Sequence, residues 1–237
     1  MKAVVCFSGG LDSTTLLYKA IAEHGPKEVA AISFHYQQRH ERELHSAQEI
    51  AFDLAIPHTI VGLNSVSPDG EIFDEGLAIF KGSSQSDMTV EVPEGHYEDP
   101  TMRLTFVPNR NMVMLSMAAA YAISLKAPYV YFAAHAGDHA IYCDCRPEFV
   151  EAMNQVLAIA NYEPITLLAP FIHISKADIV RLGAELKVPF EETWSCYAGA
   201  TKHCGRCGTC IERVEAFKLA GVADPTEYEE SKTAIGN

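Results

Sequence analysis

The chain has 237 residues, of which 48% are apolar and 21% are charged, a composition that indicates a folded globular protein and excludes disordered and fibrous classes. Its formal net charge is −13, from 18 basic and 31 acidic residues, so no overall positive field attracts a polyanion. No apolar run approaches the roughly 20 residues needed to cross a bilayer, and the N-terminus has no signal-peptide pattern. We therefore expect a cytoplasmic protein with neither a membrane nor a nucleic-acid partner.

Short apolar strands alternate with amphipathic helices along most of the chain. This alternation predicts an α/β fold with a doubly wound, mostly parallel sheet that is covered by helices on both faces. The predicted strands are residues 3–7, 28–36, 60–63, 129–134 and 166–169. The predicted helices are residues 13–24, 41–54, 111–126, 147–159 and 175–186. The 111–126 helix is apolar almost all round, so we expect it to be buried.

Residues 65–104 interrupt the alternation with Gly, Pro, Ser and acidic residues. We expect this insertion to be mobile or to cover the site, with a short helix at about residues 75–80. The predicted organisation is an α/β nucleotide-binding domain over residues 1–190 and a zinc-binding C-terminal region over residues 191–237.

The first predicted strand ends in a loop of small residues, SGGLDS, from Ser8 to Ser13. It has neither the Gly-x-x-x-x-Gly-Lys pattern of common NTPase loops nor the Gly-x-Gly-x-x-Gly pattern of dinucleotide folds. Gly9 and Gly10 let backbone N–H groups approach an anion, and the next helix adds the positive end of its dipole. Hydroxyls of Ser8, Ser13 and Thr14 can donate to the same anion. The pattern predicts a phosphate-binding loop, although a plain capped turn would use the same residues.

Asp12 differs from its neighbours in this loop because a carboxylate cannot bind phosphate directly, so it suggests a metal ion or a helix cap. The stretch resembles Ser-Gly-Gly-x-Asp-Ser, the signature of the pyrophosphate-loop ATPases, and matches it completely. The resemblance implies that ATP is cleaved between its α and β phosphates, that the loop holds the leaving pyrophosphate, and that AMP passes to a substrate oxygen. The ATP-binding residues it implies are Ser8, Gly9, Gly10, Leu11, Asp12, Ser13 and Thr14.

Seven cysteines in a chain without a secretion signal argue against a disulfide framework. Four of them lie close together in a Gly-rich stretch: Cys196, Cys204, Cys207 and Cys210. A closed set of four sulfur ligands is typical of a structural zinc site. The spacing leaves an iron–sulfur cluster and redox-active thiols open as alternatives.

Three further segments, FHYQQRHERE, TFVPNRN and GDHAIYCDCRPEF, follow or precede predicted elements. Together with the loop and the cysteines they resemble the 7-cyano-7-deazaguanine synthase family, from residue 2 to about residue 215. The family's Phe-Val-Pro-x-Arg-Asn is complete here. Its Tyr-Gly-Gln-Arg-His has Gln37 in place of Gly, and its Asp-x-x-x-Tyr-Pro-Asp-Cys-Arg has Cys143 in place of Pro. Lys176 matches a helix-start lysine of the family, and the four cysteines match its zinc ligands.

This resemblance implies ATP-dependent conversion of 7-carboxy-7-deazaguanine and ammonia to 7-cyano-7-deazaguanine, through an adenylated carboxylate and an amide. Mg²⁺ is expected with ATP and structural Zn²⁺ with the cysteines. Asp12, Arg110 and Lys176 are the expected catalytic residues, Asp12 holding Mg²⁺ and the two cations stabilising charge at the phosphates or the substrate carboxylate. Asp138 or Asp144 could pair with the guanidine-like edge of the deazapurine. The expected substrate-binding residues are Tyr36, Gln38, Arg39, His40, Asp138, Asp144 and Arg146.

Each assignment has a plainer alternative, in which the residue forms a surface ion pair or a helix cap and His40 is structural. The basic cluster around Arg39 and Arg42 is explained either by a solvated helix start or by an RNA patch. Three other functions stay open. They are delivery of the activated acid to another amine such as one on a protein, a tRNA-modifying adenylating enzyme, and an interaction module with an inactive ATP fold. The expected partners are the small molecules ATP, 7-carboxy-7-deazaguanine and ammonia, and the apolar content allows a homodimer.

Overall fold

Five parallel strands form the central sheet of the computed structural model, which describes residues 1–36, 38–39, 41–63, 82–198 and 201–229. The strands are β1 (Ala3–Cys6), β2 (Val29–His35), β3 (His58–Gly62), β4 (Tyr129–Tyr131) and β5 (Thr166–Leu168). Their order across the sheet is β3-β2-β1-β4-β5. The order reverses between the neighbouring strands β1 and β4, and sheets of this kind bind ligands at the carboxyl ends of the strands at such a switch point.

Within the described residues, six α-helices surround the sheet: α1 (Leu11–His24), α2 (Arg42–Asp53), α3 (Arg110–Ser124), α4 (Pro147–Ala160), α5 (Lys176–Glu185) and α6 (Gly208–Ala220). Successive residues of β1 point to opposite faces. Val5 belongs to a core shared with α1, α2, α5 and α6, whereas Val4 belongs to a second core shared with α3 and α4. Both faces of the sheet are therefore covered, and the predicted doubly wound α/β fold is confirmed.

The five strands and five helices predicted from the sequence are all present, with ends shifted by a few residues. The expectation that the third helix is buried all round is wrong. Met112 is 41% exposed, because α3 packs with one side on the sheet and turns the other side to solvent. The predicted helix at about residues 75–80 lies outside the described residues. Helix α6 was not predicted. In the described parts of the chain, no helix is both long and apolar enough to span a bilayer.

Candidate active site

A cavity of about 270 Å³ opens at the carboxyl edge of the sheet. It brings together the loop after β1, the residues that follow β2 and β4, and the first turns of α3 and α5. The residues predicted from the sequence that line it are Ser8, Gly10, Leu11, Asp12, Ser13, Tyr36, Gln38, Arg110, Asp138 and Lys176.

The loop after β1 is shaped by its own hydroxyls and by the close approach of α2. Ser8 Oγ lies 3.0 Å from Ser13 Oγ and accepts a hydrogen bond from the Gly10 N–H at 3.2 Å. Gly9 has φ +89°, and a Cβ at this position would lie 2.3 Å from the Glu43 carbonyl oxygen in α2. Gly10 is the N-cap of α1 without a side-chain cap, so the first N–H groups of the helix remain available to an anion.

Asp12 presents its two carboxylate oxygens to different surroundings. Oδ2 lies 3.2 Å from the Nζ of Lys176. Oδ1 is buried and has no hydrogen-bond donor within the described residues. Since Gly10, and not Asp12, occupies the cap position of α1, the helix-cap alternative does not account for Asp12. A buried acceptor without a donor is suited to a cation.

Lys176 is the first residue of α5, where Ser175 and Asp178 form a reciprocal capping box. Its Nζ donates a hydrogen bond to Glu212 Oε2 at 2.6 Å. Burial alone would lower the pKa of Lys176, but Asp12 and Glu212 together raise it above its ordinary value. The side chain is therefore a positive charge at neutral pH, held beside the loop after β1.

His135 lies behind the cavity wall, at the centre of three carboxylates. It is 1% exposed, and its Nδ1 accepts a hydrogen bond from the Gly137 N–H at 3.1 Å, so the ring proton of the neutral form is on Nε2. Nε2 lies 3.6 Å from Asp138 Oδ1 and 3.9 Å from both Asp12 Oδ2 and Glu212 Oε1. His135 Nε2 thus faces the acidic wall from behind, and the ammonium of Lys176 lies 3.2 Å from Asp12 Oδ2 and 2.6 Å from Glu212 Oε2 in the same wall.

Arg110 opens α3 and forms a second polar wall. Its Nη1 donates to Gln85 Oε1 at 2.6 Å and to the Tyr36 hydroxyl at 3.2 Å. Burial raises the pKa of the Tyr36 phenol above its ordinary value even though Arg110 acts to lower it, so Tyr36 is neutral at physiological pH. This wall presents a fixed positive charge together with neutral polar groups.

The four predicted metal-binding cysteines converge in one buried cluster that could hold a metal ion. Their Sγ atoms all lie within 4.8 Å of one another, with Cys196 and Cys207 3.9 Å apart and Cys204 and Cys210 4.0 Å apart. Trp194 connects this cluster to the loop after β1. Its backbone N–H donates to the Gly9 carbonyl at 3.0 Å, and its indole N–H donates to the Cys196 carbonyl at 3.0 Å.

Comparison with known proteins identifies the family. A family model described as "Queuosine biosynthesis protein QueC" matches residues 2–221. The chain belongs to this family. It is 48% identical over 226 residues to the 7-cyano-7-deazaguanine synthase of Alteromonas mediterranea, covering 95% of this chain and 98% of that protein. It is 49% identical over 233 residues to the synthase of Brucella ovis, covering 98% and 95% respectively. The family resemblance found in the sequence motifs is confirmed.

Among solved structures, the chain is similar to an NH3-dependent NAD synthetase from Campylobacter jejuni. The TM-score is 0.43 and the identity 15%, and the match covers 79% of this chain and 65% of that protein. A similarity at this level supports no conclusion about function.

Not every residue predicted for this QueC family site lines the cavity. Gly9 and Thr14 support the loop from behind, and the Thr14 hydroxyl donates to the Gly10 carbonyl at 2.8 Å. Gln38 lines the cavity, but its side-chain amide is already paired with the backbone. Its Oε1 accepts a hydrogen bond from the Tyr36 N–H, and its Nε2 donates to the Phe34 carbonyl.

The other predicted substrate-binding residues lie outside the cavity lining or outside the described residues. The guanidinium of Arg39 donates to the carbonyls of Asp87 and Val90, and that of Arg146 donates to the His139 carbonyl. Asp144 is buried behind the first turn of α3. His40 is not among the described residues. A role in substrate binding stays a prediction for all of these side chains.

Four of the residues at the cavity that were not predicted as site residues bear directly on its polar contacts. Gln85, Tyr97 and Glu212 line the cavity, and His135 lies behind them. Gln85 and Tyr97 lie in the 82–104 segment, which has no periodic pattern from which the directions of its side chains could be predicted. Glu212 follows the last cysteine by two residues, and that spacing is the one local signal that could have placed it near the metal cluster.

Proposed function

We propose that this protein converts 7-carboxy-7-deazaguanine, ammonia and ATP to 7-cyano-7-deazaguanine, with release of AMP and pyrophosphate. The observation that carries the proposal is the 48–49% identity, over nearly the whole chain, to proteins named 7-cyano-7-deazaguanine synthase. The complete SGGLDS loop at the switch point of the sheet is consistent with it. Neither delivery to another amine nor tRNA modification is favoured by these relatives.

The first step activates a carboxylate, which is a poor electrophile because its negative charge repels nucleophiles. A carboxylate oxygen attacks the α-phosphorus of ATP, and the bond between this phosphorus and the bridging oxygen breaks to release pyrophosphate. The N–H groups at the start of α1 and the hydroxyls of Ser8 and Ser13 bind the pyrophosphate. Lys176 supplies a charge that is already positioned by Asp12 and Glu212, so it stabilises the developing negative charge without reorganisation.

Asp12 would hold the Mg²⁺ that accompanies ATP. Its Oδ1 fits this role because it is a buried acceptor without a donor among the described residues. When bound, Mg²⁺ neutralises negative charge on the departing pyrophosphate.

The remaining steps replace oxygen by nitrogen. Ammonia attacks the acyl adenylate and AMP leaves, which gives the amide after loss of a proton. The amide oxygen then attacks the α-phosphorus of a second ATP and pyrophosphate leaves. Loss of the two nitrogen-bound protons and cleavage of the C–O bond, with AMP as the leaving group, give the nitrile. Asp138, which faces the cavity and accepts from the Tyr97 hydroxyl at 2.9 Å, is assigned to the guanidine-like edge of the deazapurine.

The four cysteines are assigned to one Zn²⁺ ion. A tetrahedral ion with Zn–S bonds of about 2.3 Å requires sulfurs about 3.8 Å apart. The Sγ separations of 3.9 and 4.0 Å fit this geometry. A multi-iron cluster distributes its cysteines over several metals and separates them further. The zinc has a structural role, since it fixes the start of α6, which carries Glu212 into the cavity.

Mass spectrometry of a reaction with the purified protein tests the proposal. The protein is incubated with magnesium ATP, ammonium and 7-carboxy-7-deazaguanine, and we expect the nitrile, AMP and pyrophosphate to accumulate together. Asp12→Asn is expected to abolish AMP formation with an unchanged melting temperature. The matched control Asp53→Asn, at an exposed position, is expected to behave as the unmodified protein. Absence of both AMP and nitrile with the unmodified protein would overturn the proposal.

A further inference from the structure

Gln85 has a buried side-chain amide of which only the oxygen forms a hydrogen bond. The residue lines the cavity and is 2% exposed. Its Oε1 accepts a hydrogen bond from Arg110 Nη1 at 2.6 Å. Its Nε2 is buried and has no acceptor in the described part of the chain. Buried polar groups in native proteins are almost always paired, so this donor requires an explanation.

The orientation of this amide is fixed by its neighbours. Exchanging the oxygen and nitrogen atoms would place two donors 2.6 Å apart, because a guanidinium cannot accept a hydrogen bond. The backbone is held on both sides as well. The Gln85 N–H donates to Ser83 Oγ at 3.2 Å, and the Gln85 carbonyl accepts from the Arg39 N–H at 2.9 Å. The free N–H of the side chain is therefore a positioned donor.

We propose that Gln85 is a substrate-binding residue whose Nε2–H donates to an oxygen of the bound deazapurine acid, either its carboxylate or its ring carbonyl. This inference rests on the proposed function. An acceptor oxygen is repelled by the acidic wall formed by Asp12, Asp138 and Glu212. The wall formed by Arg110 and Gln85 presents hydrogen-bond donors instead. The hydrogen bond from Arg110 to Gln85 Oε1 also orients the Gln85 amide so that its nitrogen remains unpaired.

Two variants separate this role from simple bracing of Arg110. Gln85→Glu keeps an acceptor for Arg110 and removes the free donor. Gln85→Met removes both and introduces no charge. If Gln85 only braced Arg110, the Glu variant would still hold Arg110 and would bind the acid better than the Met variant does. If Gln85 donates to the substrate, both variants lose affinity, and the Glu variant, which adds a negative charge, loses at least as much as the Met variant.

The experiment measures the Kd of 7-carboxy-7-deazaguanine by calorimetry, which needs no turnover, together with KM values for the acid and for ATP. We expect Kd and KM for the acid to rise about tenfold or more in both variants, as for loss of one hydrogen bond to a charged or strongly polar group. KM for ATP is expected to stay within about twofold. Met88→Gln, at a 66% exposed position of the same segment, serves as the control and is expected to change neither value.

Binding of 7-deazaguanine, which keeps the ring carbonyl and lacks the carboxylate, distinguishes the two oxygens. A parallel loss of its affinity assigns Gln85 to the ring carbonyl, and an unchanged affinity assigns it to the carboxylate. A Gln85→Glu protein with normal affinity for the acid, or a change confined to ATP, would reject the role of Gln85. In that case nitrile formation by the unmodified protein would leave the proposed function intact, whereas a protein that binds no acid overturns both.

Discussion

The ammonium of Lys176 lies 2.6 Å from a carboxylate oxygen of Glu212, so the helix that starts at the cysteine cluster also holds the cation beside the loop after β1. Cys207 is the N-cap of α6, Cys210 is in its first turn, and Glu212 follows two residues later. The cysteine cluster and the charge proposed for catalysis are therefore connected through one turn of helix.

Replacing Glu212 by Gln tests this connection. The variant keeps the size of the side chain and removes the charge that holds Lys176, which then shifts toward Asp12. We expect AMP formation to fall about tenfold or more, while the metal content is unchanged. Glu215→Gln, on the exposed side of the same helix, is the control. An equal effect of both variants, or a loss of metal in the Glu212→Gln protein, would contradict the positioning role.

A Cβ at Gly9 meets backbone atoms of α2, whereas a Cβ at Gly25 meets nothing within 4 Å, although both residues have φ near +90°. The two alanine variants therefore share the conformational cost and differ in the steric one. We expect Gly9→Ala to lower the free energy of unfolding by about 1–3 kcal/mol more than Gly25→Ala does. Urea unfolding of both variants measures the difference, and equal losses would show that α2 does not pack against the loop as described.

Removing one metal ligand should cost both metal and stability. Cys207→Ala is expected to lose its zinc and to melt roughly 10 °C lower, since a structural zinc contributes several kcal/mol and each corresponds to about 2–4 °C in a chain of this size. Metal analysis of the unmodified protein should find about one zinc per chain. Cys143→Ala, at an exposed free cysteine, should change neither property. Iron in the unmodified protein, or a Cys207→Ala protein of normal melting temperature, would contradict the zinc assignment.

Asp144 provides a prediction about pH. Burial raises the pKa of its carboxyl above the ordinary value, although Arg110 acts to lower it. The folded state therefore binds this proton more tightly than the unfolded state. Its contribution to stability falls as pH rises from the ordinary Asp pKa of about 3.9 to the raised value, and it stays reduced above that. We expect Asp144→Asn to be more stable than the unmodified protein at pH 7, and this gain to shrink toward pH 4. Urea midpoints at the two pH values test this, and a gain that grows on acidification would show the opposite sign.

The strand and helix pattern predicted the sheet, its doubly wound form and the loop at the end of β1, because each depends on local periodicity and on turn residues. Helix α6 could not be predicted from periodicity. Arg213 and Thr209 are buried on its inner side, while Val214 and Leu219 are exposed, so its sequence lacks an amphipathic pattern. Glu212 depends on that helix and was missed with it.

The directions in which side chains point could not be predicted from the sequence either. Arg146 matches the family motif, yet it is the N-cap of α4 and its guanidinium donates to a loop carbonyl. Gln85 lies in a segment without periodicity, and its contact with Arg110 spans 25 residues of sequence. Such contacts are set by tertiary packing, which a motif or a local pattern does not encode.

Transfer of labelled oxygen is the most direct test of the central claim, that this cavity adenylates the substrate carboxylate. 7-Carboxy-7-deazaguanine labelled with ¹⁸O in both carboxylate oxygens is converted in unlabelled water, and the AMP is analysed by mass spectrometry. The mechanism predicts one ¹⁸O atom in every AMP formed during nitrile synthesis, because each carboxylate oxygen leaves on one AMP. Unlabelled AMP, or ADP with labelled inorganic phosphate, would contradict it.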